Sequence, residues 1–402
     1  MNRLYLFLIS IFLSSYALAY EVTENLQIHG FFTQSGVYTS DNNMYGNSED
    51  SMTGDLREAG LNLFYTPLSN LSFSFQGLYR KAGKVDNDSV DVDYAFMDIN
   101  LKNYASGHYG LRLGRIKNPI GLYNETRDVA FTTPSIILPQ GIYFDRSRSF
   151  LLSSDGGQLY WEHLTENGNF NLKVSYGVTR NDNDELLKAI IPYPTSKFPL
   201  PEPQGELEPS GTIPSFLTQI SYEQNGGEYI YALSFADAEL KYNPKGNELY
   251  QKGHTKFDMY VLSAQYNGEK ITLTGEYKYQ ENEFKDFGVL YPDVSPVSES
   301  WYIQAAYRLK YNWQLYGRYD ESYSDKNDRN GSNTKRVGDP AHMAYSKSTM
   351  LGVRWDINTS MMIRAEYHNI DGTSWLTSAD NPDRSHTERY WDLFALQFSI
   401  RF

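Results

Sequence analysis

Along most of this chain apolar and polar residues alternate one by one. Leu71-Ser72-Phe73-Ser74-Phe75-Gln76 does so, as do Phe170 to Tyr176, Ile271 to Tyr279, Trp313 to Tyr319 and Ile363 to His368. Alternation at 180° per residue builds a strand with one apolar and one polar face. No segment of comparable length repeats with a helical period, so helices are expected only as short insertions in loops. Two sizes of connection separate the strands. The short ones are Thr66 to Asn70, Lys102 to Gly107, Asn167-Gly168, Asn225-Gly226-Gly227, Asn267-Gly268, Lys310-Tyr311-Asn312 and Asn358-Thr359-Ser360. Asn-Gly between alternating runs marks a tight hairpin, because both central residues need positive φ. The long, polar ones fall near 40–53, 83–89, 117–153, 181–214, 242–252, 282–298, 324–344 and 371–386. Seven short and eight long connections alternate and join 16 strands, with both ends of the sheet on the short-turn side.

An even number of strands with short turns at one end and long loops at the other is the pattern of an outer-membrane barrel. Only a closed sheet leaves no unpaired backbone in lipid. The reading is an all-β protein: a transmembrane antiparallel β-barrel of 16 strands, short periplasmic turns and long extracellular loops. The aromatics fit it. Tyr65, Tyr109, Trp161, Tyr222, Tyr229, Tyr266, Trp301, Trp313, Trp355 and Tyr390 fall near strand ends on the apolar face. Amphipathic rings settle there, at the boundary between hydrocarbon and headgroups.

Composition narrows the field further. The 402 residues include 34 Tyr, 21 Phe and 6 Trp, too aromatic for a disordered chain. Past the first 20 residues no apolar run is long enough for a spanning helix. A formal net charge of −13 argues against nucleic acid as a partner. There is no cysteine, hence no disulfide or thiolate site. No metal or cofactor site and no catalytic motif of hydrolases or zinc enzymes is found in the sequence. Arg3, the apolar run Leu4 to Leu13 and Ala17-Leu18-Ala19 read as an export signal over residues 1–19, leaving 20–402 as a single outer-membrane barrel. Seven of the 16 prolines lie in 181–214, which suits a stiff external loop.

The chain closes on an alternating strand, Phe394 to Phe402, which resembles the C-terminal assembly signal of outer-membrane barrels, with Phe402 as its last residue. The whole pattern resembles a Gram-negative porin of the 16-stranded, typically trimeric superfamily. More narrowly, Gly114-Arg115-Ile116-Lys117-Asn118-Pro119-Ile120-Gly121-Leu122-Tyr123-Asn124-Glu125-Thr126-Arg127-Asp128-Val129, with Pro134 to Gln140 after it, resembles a block in a set of porin-like proteins distantly similar to phosphate-selective porins. The resemblance implies passive diffusion of small hydrophilic solutes or ions, no enzymatic activity and an outer-membrane location. It implies as partners two further copies of the chain, outer-membrane lipid and lipopolysaccharide, and the barrel assembly machinery. It also implies that the third long loop, 117–153, folds into the lumen as a constriction.

Strand parity supplies the chemistry of the lumen. With the aliphatic and aromatic face toward lipid, Arg80, Arg112, Lys173, Lys278, Arg318, Arg354, Arg364 and Arg401 point inward, as do Asp98, Glu162, Glu276, Asp320 and Glu366. The candidate constriction loop carries Lys117, Glu125, Arg127, Asp128, Asp145, Arg146 and Arg148, with Ile136, Ile137 and Leu138 as its apolar anchor. An arc of wall arginines opposite Glu125 and Asp128 is expected to set a transverse field, as charged rings do in selective pores. The bland alternative is that the arginines pair within the wall. Outward small residues on the first and last strands, Gly30 and Ala395, are expected to serve the trimer contact. The competing functional reading is a non-conducting surface barrel, an adhesin or phage receptor.

Overall fold

A computed structural model describes residues 20–180, 187, 203–208 and 213–402. The export segment 1–19 and most of the proline-rich loop lie outside the described residues. The strands are β1 (Tyr20–Thr23), β2 (Leu26–Thr39), β3 (Thr53–Leu68), β4 (Leu71–Ala82), β5 (Asp86–Tyr104), β6 (Gly107–Lys117), β7 (Ser153–Leu164), β8 (Gly168–Thr179) and β9 (Glu206–Leu207). They continue with β10 (Ser215–Gln224), β11 (Tyr229–Asn243), β12 (His254–Asn267), β13 (Ile271–Lys285), β14 (Val297–Lys310), β15 (Trp313–Tyr323), β16 (Tyr345–Asp356), β17 (Met361–Gly372) and β18 (Tyr390–Arg401).

Sixteen of them, β2 to β8 and β10 to β18, pair antiparallel in sequence order and close into a barrel where β18 meets β2. β1 folds back on β2, and β9 pairs with the external end of β11. At the closing seam Phe402 and Gly30 exchange two backbone hydrogen bonds, of 2.9 and 3.0 Å. The Phe402 ring packs over the bare backbone of Gly30, where a Cβ would lie 2.3 Å from it and the ring would have to shift.

Alternation sorts the two faces as expected. Phe73, Leu113, Leu159, Leu262, Ile303, Leu315, Leu351 and Leu396 are exposed on the outer wall, while Arg80, Gln158, Glu276, Arg318 and Arg364 are buried inside. Near the short turns the outward aromatics meet in register, Trp313 stacking on Trp355 at 5.5 Å and Tyr229 on Tyr266 at 5.1 Å. Ala395 departs from the expectation. It is buried on the inward face of β18 among Val37, Leu393 and Ile370, so it offers nothing to a neighbouring barrel.

One strand switches parity. Gln76 pairs with Tyr94 and Gly77 with Val92, so Asp93 is an extra residue on β5. A bulge of this kind re-aims a side chain. Here it leaves Asp93 buried, with its carboxylate on Lys117 and Gln76.

Candidate functional site: a loop through the lumen

The segment between β6 and β7 has little secondary structure of its own: three single 3₁₀ turns and the five-residue helix Arg148–Leu152. A chain this irregular must find partners for its backbone groups when it leaves bulk water. The barrel wall supplies them. Glu276 on β13 accepts from the Leu122 amide at 2.9 Å, and also from the Tyr143, Tyr302 and Ser263 hydroxyls at 2.6 to 2.7 Å. Glu366 on β17 accepts from the Ile136 and Ile137 amides and from the Tyr316 hydroxyl. Arg318 on β15 donates to the Ile137 carbonyl at 3.0 Å, and Arg364 on β17 to the Thr133 carbonyl at 2.9 Å. Gln219 on β10 and Gln304 on β14 donate to the Gly121 and Pro134 carbonyls. Each donor or acceptor is an inward-facing wall residue, and together the strands surround the segment, which therefore lies inside the barrel.

Packing secures it on two sides. Ile137 joins Val37, Leu56, Ala82, Ile370 and Leu393 from β2 to β4, β17 and β18. Ile120, Tyr123, Leu138, Ile142 and Tyr143 join Leu217, Ala236, Met259, Val261 and Tyr302 from the wall between β10 and β14. Gly121, at φ +57°, makes the entry bend, where a Cβ would lie 2.4 Å from the Tyr143 hydroxyl and 2.7 Å from Glu276. Burial, then the neighbouring Glu276 carboxylate, holds the Tyr143 phenol well above its ordinary pKa, so it remains a hydrogen-bond donor.

A third side is held by charge. Arg80 reaches Asp86 at 2.7 Å, Glu58 at 2.8 Å and Asp145 at 3.3 Å. Asp145 also takes Arg127 at 3.0 Å and the Tyr45 hydroxyl. Lys117 bridges Asp93 and Asp128, and Asp128 in turn pairs with Arg148. Burial, then Arg80 and Arg127 close by, lowers the Arg148 pKa to about 9, which leaves it a cation at neutral pH beside Asp128. Four cations and five carboxylates thus interlock the loop with β3 to β6. Five of the seven charged loop residues singled out in the sequence, and Arg80 of the wall, meet in this one cluster.

The expected arginine arc is therefore corrected. Asp128 faces Lys117 and Arg148 within its own segment, and Glu125 pairs with Lys173 on β8 at 2.6 Å. Neither faces the arginines of β15 to β18. Those arginines are engaged too: Arg318 with Asp320 at 2.9 Å, Arg354 with Asp356 at 2.9 Å, and Arg364 with Thr133 and Gln397. Arg112 pairs with Asp98 at 2.8 Å. Pairing within the wall describes these residues, and Arg318 and Arg364 additionally hold loop carbonyls. Arg146 lines a cavity in the external half of the lumen.

Sequence reasoning passed over Glu58, Asp86, Asp93 and Tyr45. Asp93 is hidden by the bulge, and Tyr45 comes from an external loop with no periodicity. Glu276 and Glu366 were legible as inward acids but not as anchors. A signal for the anchoring was available: in His254 to Leu262 the inward face is itself apolar, with Phe257, Met259 and Val261, which calls for something to pack on it. Among the described residues no group of His, Cys, Asp and Glu could hold a metal ion.

A closed 16-stranded barrel crossed by an inward loop has the fold of the outer-membrane porins. The chain is similar to the outer-membrane channel DcaP of Acinetobacter baumannii at 9% identity and a TM-score of 0.58, over 96% of this chain and 99% of that one. It is similar to OmpT of Vibrio cholerae at 11% identity and 0.56, over 94% and 99%. An anion-selective porin from Comamonas acidovorans matches at 12% identity and 0.54, over 94% and 98%. No family model matches the chain, and no curated protein matches it in sequence.

Proposed function

We propose that this chain is an outer-membrane porin through which small hydrophilic solutes or ions diffuse passively, and not an enzyme. The observation that carries this reading is the segment 118–152, wedged inside a polar-walled barrel by ions on one side and by hydrogen bonds on the others. It supports residues 117–153 as the constriction of the pore, with Arg80, Lys117, Arg127, Asp128, Asp145 and Arg148 as the lock that fixes it. Arg112, Arg318, Arg354 and Arg364 serve as wall residues in this reading, while Glu125 ties the loop to Lys173 and Arg146 faces the solute path.

In the same reading residues 1–19 direct export, 20–402 form one barrel in the outer membrane, and Phe402 serves recognition by the assembly machinery. Lipid and lipopolysaccharide surround the outer wall. We propose a homotrimer. One of the similar structures, OmpT of Vibrio cholerae, is described in a trimer form. With Ala395 turned inward, the outward small residues that permit close approach are Ala264, Gly275, Ala305 and Gly317, which border one trough on β12 to β15.

Single-channel recording of the purified protein in planar bilayers tests the proposal. Stepwise conductance increments are expected. Folded, inserted protein without conductance would instead favour the non-conducting surface barrel, an adhesin or phage receptor.

A further inference from the structure

The loop does not fill the lumen evenly. Above it, on the side of β12 to β15, a cavity of about 370 Å³ opens between the wall, the loop and the external segments 324–344 and 373–389. Its lining is unlike the rest of the lumen. It includes Lys278 of β13, Arg146 of the loop and Arg384 of the last external segment, and no Asp or Glu. The wall carboxylates below it are committed elsewhere, Glu276 to four hydrogen bonds and Asp320 to Arg318.

Two donors in this lining have no acceptor among the described residues, one open to the cavity and one sealed from it. Lys278 points inward, and among the described residues its ammonium makes no hydrogen bond and no ion pair. Trp375 is only 8% exposed, and its indole N–H has no acceptor among the described residues. A buried donor without an acceptor is costly, and in a native structure it calls for a ligand or water to complete it. Of the two, the Lys278 ammonium is the one a solute in the cavity can reach, and an ionised acceptor meets it best. The remaining surface is aromatic: Phe257 and Phe150 meet edge to face at 5.1 Å, and Phe144 and Phe284 join them in the lining.

We propose that this cavity is a solute subsite for a small organic anion, a carboxylate carried on a single apolar or aromatic ring. The inference rests on the channel reading and deepens it by naming the solute class. The carboxylate sits at Lys278, and the ring lies against Phe257 and Phe284. The volume agrees, since about 370 Å³ is roughly a dozen times the share of one liquid water. A lysine ammonium in a narrow space whose lining holds no Asp or Glu draws anions in and disfavours cations.

Benzoate, benzamide and benzylamine have nearly the same shape and differ in charge. Full-length protein in a planar bilayer is titrated with each from the external side while the ion current is recorded. Benzoate is expected to interrupt the current at a concentration at least about tenfold below that for benzamide, and benzylamine to have no effect. Lys278→Met removes the charge while keeping the length of the side chain. It should raise the half-blocking concentration of benzoate about tenfold and leave that of benzamide unchanged. Lys278→Gln, which removes the charge and keeps a polar side chain, provides a second variant should Lys278→Met fold poorly, and the same rise for benzoate alone is expected. Conductance with equal responses to benzoate and benzamide would overturn the subsite and leave the channel standing. If the protein inserts without conducting, the channel reading falls, and tryptophan fluorescence decides the site. A saturable response to benzoate that is weakened in Lys278→Met upholds it, and no response overturns it.

Discussion

Replacing Glu366 by alanine should release the middle of the lumen loop without opening the barrel. Glu366 accepts hydrogen bonds from the Ile136 and Ile137 amides and the Tyr316 hydroxyl, and its side chain is buried. Each donor left without an acceptor in a buried place costs about 1–3 kcal/mol. With the His368 ring nitrogen at 3.1 Å as a fourth partner, the upper figure is about 12 kcal/mol, and lumen water that re-pairs these groups brings the cost down to about 3 kcal/mol. Even the lower figure corresponds to roughly a hundredfold rise in the population of the detached loop. The sheet is spared, since the ladder of β17 with β16 and β18 runs through backbone groups. Hydrogen exchange read at the Ile136 and Ile137 amides should therefore accelerate roughly a hundredfold, with the strands of β17 unchanged and single-channel traces showing more frequent transitions. Glu366→Gln, which keeps one carbonyl oxygen, should fall between. If exchange at both amides stays within about threefold of wild type, the carboxylate is not an anchor and the wedge model fails at this point.

Further perturbations separate the other parts. Deleting 119–148 should raise conductance and relax size exclusion while the far-ultraviolet dichroism of the barrel persists, because no strand pairing passes through those residues; unchanged conductance would show that the loop is no constriction. Asp145→Ala removes the partner of Arg80, Arg127 and Tyr45, and should cost about 3–5 kcal/mol as the loss of a buried ion pair, read as a lower midpoint in urea-induced unfolding in detergent. Removing Phe402 deletes the residue that closes the seam on Gly30, and the folded outer-membrane fraction on heat-modifiability gels should fall sharply. In the external segment 324–344, burial opposes ionisation of Asp328, but bonds from the Asn333 amide and from the Thr334 amide and hydroxyl outweigh it and hold its pKa below the ordinary 3.8. A lowered folded pKa gives stability that is present above 3.8 and lost as pH falls through the folded value, so amide protection factors in 328–336 should fall at acid pH in wild type and much less in Asp328→Asn.

The barrel was legible because alternation and turn chemistry act locally. Ile271 to Tyr279 declares both its faces, and Asn267-Gly268 declares the hairpin before it, with no knowledge of the other strands. The loop's location was legible at one remove, from its length and from the apolar run Ser135 to Leu138, which needs something to pack on. The electrostatics were not legible. Parity says that Arg318 and Glu366 point inward, but not that a carbonyl of residue 137 and an amide of residue 136 will stand before them. Contacts between a wall and an irregular segment have no period. Asp93 fails for a second reason, since the bulge at Gln76 and Gly77 inverts the parity on which every inward assignment depends.

The three kinds of contact around the loop divide the lumen unequally, and this bears on where solute passes. Against β3 to β6 the seal is ionic: four cations and five carboxylates share donors, and removing any one takes a buried partner from its neighbours. Toward β10 to β14 the lower part is sealed by Tyr143, Tyr302, Met259 and Val261 around Glu276. Above that level the same wall presents Lys278, Gln280 and Ser300 to the cavity and makes no comparable seal. The weakest side of the wedge is therefore the side on which the unpaired ammonium stands. In the channel reading proposed above, a solute entering from outside along β12 to β15 meets Lys278 before Tyr143. A substitution there acts on solutes, whereas a substitution in the ionic cluster acts on the loop. Exchanging Lys278 should change selectivity at constant loop protection, and exchanging Asp145 should change loop protection first. Recording both quantities on both variants tests that division, and equal effects of the two substitutions on both would refute it.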